Sequence, residues 1–173
     1  PAALAVKLND LSQWASWSEI DFELGNPTTR EIKGEPGKAN QTATWNGPMG
    51  MATVLLTRVE DGLLEYAIGY KFGPEGDSFG GKYTGSITWQ AQGDATRLTW
   101  TENGELPNLM QRWSNWFGAQ QDKVGHVQHA SFAGLEESIR RNAAAQARAT
   151  QPNATQPDAA KPAATKAKKL LPK

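Results

Sequence analysis

Residues 122–141 read DKVGHVQHASFAGLEESIRR, and the fold turns on this stretch. Val124, Val127, Phe132, Leu135 and Ile139 recur near one side of a 3.6-residue period, with Gln128, Glu136, Glu137 and Arg140 off it. Asp122 stands where an acid suits the positive start of a helix, and Arg140 and Arg141 where cations suit its end. The pattern predicts a long amphipathic helix, extended to about Ala149 by a helix-favouring Ala-rich run and stopped at Thr150-Gln151-Pro152. A lone amphipathic helix that follows a run of strands buries its apolar stripe across their sheet. That predicts an α+β domain.

Upstream, the period shortens from 3.6 to 2. Leu64, Tyr66, Ile68, Tyr70 and Phe72 alternate with Leu63, Glu65, Ala67, Gly69 and Lys71, which predicts a strand with one apolar, aromatic face. Further strands are expected at Arg30–Gly34, Lys38–Trp45, Gly50–Val59, Lys82–Gln90 and Ala95–Glu102. The turn signals between them include Asn46-Gly47-Pro48, Glu60-Asp61-Gly62 and Gln92-Gly93-Asp94. Ile87, Trp89, Leu98 and Trp100 are the inward residues of the last two. Gly73–Gly81 reads as a glycine-rich loop and Pro107–Phe117 as a short helix. Turns this short favour an antiparallel meander. Ahead of the strands, Leu4, Leu8 and Leu11 predict one helix over Pro1–Trp14, with Trp14 and Trp17 packed as core at its end.

Composition separates the chain into two parts. Residues 151–173 hold five Lys against Asp158 alone, a net +4, with four Pro and no aromatic; residues 1–150 carry the balancing −4. The first part, 1–149, reads as one domain and 150–173 as a disordered Ala/Pro/Lys-rich tail, too poor in apolar area to offset the entropy of ordering it. A mildly acidic domain has no basic face for specific nucleic-acid binding. The tail's charge suits only weak, salt-sensitive contact with anionic surfaces. No apolar run of about 18 residues occurs, so no transmembrane segment is predicted in this chain. The 173 residues contain no Cys, which excludes disulfides and thiolate chemistry.

Four stretches resemble the START/Bet v 1-like superfamily, in particular its bacterial polyketide cyclase/dehydrase-like branch. Asp10-Leu11-Ser12-Gln13-Trp14-Ala15-Ser16-Trp17 is similar to that branch's Asp-x-x-x-Trp-x-x-Trp, and Trp45-Asn46-Gly47-Pro48-Met49-Gly50 to its Trp-x-Gly-x-x-Gly. Gly93 to Trp100 is similar to its Gly-x-x-Thr-Arg-Val-x-Trp, and Phe132–Ile139, with Gly134-Leu135, to its Gly-Leu-x-x-Leu. The resemblance covers residues 1–141. It implies a helix-grip fold, a curved antiparallel sheet wrapped around a long C-terminal helix, with a pocket for an apolar ligand between them. Members begin with a strand just before the Pro of the first helix, so the expectation is a fragment, or a chain lacking that first strand. Localisation stays open: cytoplasmic by default, with an upstream membrane anchor of the kind some relatives carry also compatible.

Little in the sequence points to a reaction. His126 and His129 are three apart on the predicted helix, but no third ligand follows at metal-site spacing. There is no Gly-x-Ser-x-Gly elbow and no phosphate loop, and the glycines between Gly73 and Gly85 read as hairpin and loop glycines. Glu102 with Glu105, and Glu136 with Glu137, read as solvated faces. No cofactor or metal is called for. The expected ligand-binding residues are Tyr66, Ile68, Tyr70, Trp89, Leu98, Trp100 and Phe132, with His129 as a polar group at the pocket mouth. The leading expectation is binding of a hydrophobic or lipid-like small molecule. The alternatives are a cyclase/dehydratase-type enzyme acting on a polyketide-like substrate, and an interaction protein with a filled core and a working basic tail.

Overall fold

The computed structural model describes residues 2–73, 79–105 and 119–150. Three short helices lead the chain: α1 (Ala2–Asn9), α2 (Leu11–Trp14) and α3 (Ile20–Glu23). The single helix expected over Pro1–Trp14 is therefore two, and Asp10 is the reason. It adopts an extended backbone (φ −116°, ψ 114°), and its carboxylate accepts from Ser12 N at 2.9 Å and Ser12 Oγ at 2.6 Å. An aspartate that caps a new helix competes with continuation of the old one. Buried Gln41 fixes the break from the sheet side: its Nε2 donates to Asp10 Oδ1 at 3.1 Å and its Oε1 accepts from Leu11 N at 3.0 Å.

Trp14 and Trp17 then fold back over α1. The Trp14 indole N–H donates to Leu8 O at 2.8 Å and that of Trp17 to Lys7 O at 3.1 Å. These are carbonyls that the end of a helix leaves without intrahelical partners. Both rings are buried, as core, with centroids 5.1 Å apart.

Six strands follow, β1 (Thr29–Lys33), β2 (Thr42–Gly47), β3 (Gly50–Glu60), β4 (Leu63–Phe72), β5 (Phe79–Gln92) and β6 (Ala95–Glu105). They pair antiparallel in chain order, the expected meander. Gly62 (φ 76°) and Gly93 (φ 61°) make the two tight turns that join β3 to β4 and β5 to β6. Leu64, Tyr66 and Ile68 of β4 are buried on one face, beside Val54 and Leu56 of β3 and Ile87 and Trp89 of β5. The expected loop at Gly73–Gly81 does not reach Gly81, because β5 starts at Phe79 and pairs Phe79–Gly81 with Tyr70–Phe72; residues 74–78 lie outside the described residues. The short helix expected at Pro107–Phe117 and the tail at 151–173 lie outside the described residues.

The last helix, α4 (Ala119–Thr150), extends the predicted span at both ends. Its stripe is buried at Ser131, Leu135 and Ser138 and partly so at Phe132 and Ile139, while every residue from Arg140 to Ala149 is exposed. The stripe was expected to lie across the sheet alone. The sheet shares it with the N-terminal helices, because small residues allow a close backbone approach there. A Cβ at Gly134 would stand 2.6 Å from Trp17 O, Ser138 Oγ lies 3.1 Å from Ser16 Oγ, and Ser131 Oγ accepts from Glu19 N at 3.3 Å. On the sheet side, Phe132 meets Trp100 edge to face at 5.5 Å. The architecture is α+β: an antiparallel meander covered by helices.

Candidate functional site

Three residues in register across β4, β5 and β6 build the centre of the site. Tyr66 pairs with Gly85, and Gly85 with Glu102. A Cβ at Gly85 would stand 2.2 Å from Cζ of Tyr66, so only glycine there lets the tyrosine ring lie across β5. The ring therefore reaches the next strand but one. Its hydroxyl donates to Glu102 Oε1 at 2.6 Å and accepts from Trp100 Nε1 at 2.7 Å. Gln128 of α4 hydrogen-bonds the same carboxyl. Gly85 lies mid-strand, within the expected strand Lys82–Gln90, and its missing side chain is the space Tyr66 occupies.

Burial pushes the Glu102 carboxyl above its ordinary range, and the hydrogen bonds from Tyr66 and Gln128 offset this only in part. Burial, followed by the charge of Glu102, raises the Tyr66 hydroxyl as well. Tyr70 is shifted the same way by burial and then by the charges of Glu102 and Glu23. Its ring nevertheless keeps some accessible surface, because it faces a cavity rather than packed atoms.

That cavity measures about 100 Å³. Its floor is the sheet face of Tyr66, Ile68, Tyr70, Phe72, Tyr83 and Trp100, with Glu102 at one side. Trp14, the Ser18–Ile20 segment and Glu23 cover it from the N-terminal helices, and Val127, Gln128 and Ser131 from α4. The rings brace one another: Trp14 on Tyr66 at 5.4 Å, Tyr70 on Tyr83 at 6.2 Å, and Trp17 behind Trp100 at 6.2 Å. Such edge-to-face contacts hold walls in place without filling the space between them.

Of the expected site residues, Tyr66, Ile68, Tyr70 and Trp100 come together in this cavity. Trp89 does not; it is 5% exposed and belongs to the packed core. Leu98 and Phe132 line a separate open groove of about 430 Å³ with Leu4, Leu135 and Ile139. The Trp100–Phe132 contact stands between the two spaces. His129 is on the exposed side of α4, outside the cavity. Gln128 and Ser131 face inward, and a residue one step from Gln128 is turned about 100° away on a helix.

Glu102 is the residue the sequence reading misplaced, as part of a solvated acidic pair. It follows Leu98 and Trp100 at a period of two on the inward face of β6, and that alternation was the signal for it. Gln128 and Ser131 follow from the helical period of α4. Ser18, Glu19 and Glu23 sit in and beside short helical turns, where no period marks a face. Among the described residues no group of three His, Asp or Glu could hold a metal ion, and no helix is long and apolar enough to cross a membrane.

Fold and site together define an α+β domain with an aromatic-walled cavity and a half-buried carboxyl in its wall. No protein-family model matches the chain, and no curated protein matches it.

Proposed function

We propose that this domain binds a small apolar molecule in the cavity between the sheet and its covering helices, in the manner of a helix-grip fold of the START/Bet v 1-like type. The observation that carries the proposal is the space itself: about 100 Å³ left open among braced aromatic rings. Cavities in well-packed domains are few and small, and an apolar one of about 150 Å³ takes up benzene. The volume suits a single ring or a short branched chain, or one end of a longer lipid-like molecule. Burying about 100 Å² of apolar ligand surface would contribute about 2.5 kcal/mol at ~25 cal/mol per Å². Orientation would come from the Glu102–Tyr66 pair.

Titration with toluene tests this directly, since Trp14 and Trp100 line the cavity. The expected result is a saturable change in tryptophan emission that weakens when Val127→Phe fills the cavity from α4. Absence of any saturable change in the wild-type protein would refute the proposal.

A second reading, a cyclase/dehydratase-type enzyme for polyketide-like substrates, is favoured by one observation. Glu102 is a half-buried carboxyl with a raised pKa beside a tyrosine hydroxyl, the arrangement from which acid–base catalysts are built. In this reading Glu102 is the acid–base group and Tyr66 its partner. Turnover of such a substrate that survives Glu102→Gln unchanged would eliminate it.

A further inference from the structure

The cavity combines two features that an ordinary apolar pocket does not. Six aromatic residues line it, and the charged residues among its described lining are all acidic: Glu19, Glu23 and Glu102, with no Lys, Arg or His. Glu102 is held by Tyr66 and Gln128 and has no ion-pair partner among the described residues. Tyr70 also lines the cavity, and its hydroxyl has no hydrogen-bond partner among the described residues. Aromatic faces carry negative potential and attract cations, most strongly where water is excluded. A carboxylate placed among such faces adds a charge-assisted acceptor. An anionic ligand would meet the Glu102 carboxylate. A neutral apolar one would leave the Glu102 charge and the Tyr70 hydroxyl each without a partner of its own.

We infer that the preferred ligand of this cavity is an organic cation, an ammonium group on an apolar body about one ring in size, held by Glu102 and the surrounding aromatic faces. The inference rests on the binding function proposed above and specifies the ligand's charge.

The test uses the full chain and three probes that share one body: 2-phenylethylammonium, 2-phenylethanol and phenylacetate, titrated by tryptophan emission at neutral pH. The expected order is ammonium, alcohol, carboxylate, with about tenfold or more between the first two. Glu102→Gln is expected to bring the ammonium and the alcohol to within about threefold of each other. Glu31→Gln, on the exposed strand β1 and equal in charge change, is expected to leave the wild-type order intact. Equal binding of ammonium and alcohol by the wild-type protein would overturn the charge preference while leaving the binding function standing. An ammonium preference untouched by Glu102→Gln would overturn the role of Glu102. Failure of all three probes to bind would remove the binding function itself, and the inference with it. The wild-type series alone decides the ligand's charge if Glu102→Gln does not fold.

Discussion

Two side chains and one missing side chain set the character of the site. With Gly85→Ala, the new methyl would enter the Tyr66 ring, which braces Trp14 and holds Glu102. The expected cost is about 1–3 kcal/mol, the usual range for overpacking a core, read as a lowered midpoint in urea. Glu102 has a different signature. Its carboxyl binds a proton more tightly in the folded protein than in the unfolded chain, so the folded state holds more protons above the ordinary value of 4.5. Stability therefore declines as pH rises from there through the raised value of Glu102, and levels off beyond it. The groups around it (Glu19, Glu23, Tyr66, Tyr70 and Tyr83) supply no positive charge to reverse that sign. Thermal melts of Glu102→Gln across pH 4 to 8 are expected to lack this decline; an unchanged profile would place the burial cost elsewhere. The alternation Leu98-x-Trp100-x-Glu102 was legible in the sequence. Its meaning was not, because the same period serves a packed strand and a pocket wall, and an acid reads by default as solvated.

At the scale of elements, the joints are polar. Asp10 caps α2, and Gln41 ties that cap to the sheet through a backbone also bonded to Leu56, whose N–H donates to Gln41 O at 2.9 Å. Asp10→Ala is expected to cost about 1 kcal/mol, the common value of a side-chain cap. Gln41→Leu is expected to cost about 1–3 kcal/mol, because the Leu11 N–H would be left buried without a partner. Denaturant unfolding measures both. Neither joint could be read from periodicity, since Leu4, Leu8 and Leu11 keep a helical spacing straight through the break at Asp10. Strands were more legible than helix ends: the six elements and their order follow from alternation and Gly-containing turns. Phe132 separates the cavity from the open groove. Phe132→Ala is expected to join the two spaces, cost about 2 kcal/mol for a half-buried ring, and relax selection against longer apolar ligands in the toluene titration extended to alkylbenzenes.

At the scale of the whole molecule, the α+β class was legible because a period of 2 gives way to one of 3.6 once along the chain. The way the last helix lies was not, since its seating depends on Gly134, Ser131 and Ser138, which a hydrophobic pattern passes over. Past Ile139 all residues of the helix from 140 to 149 are exposed. A chain ending at Arg141 is expected to unfold within about 0.5 kcal/mol of the full one, as for surface changes remote from packing. The seating also has a consequence for the order of events during synthesis. Each strand pairs with its immediate neighbour in sequence, so the sheet needs only short-range closure, whereas the Ser16–Ser138 contact spans 122 residues. Short-range pairings form before long-range ones, and an N-terminal part can fold while later residues are still being made. Before α4 arrives the cavity has its sheet floor and its N-terminal cover but lacks the wall of Val127, Gln128 and Ser131. Under the binding function proposed above, a ligand present at that stage would therefore be enclosed by the arriving helix rather than admitted afterwards.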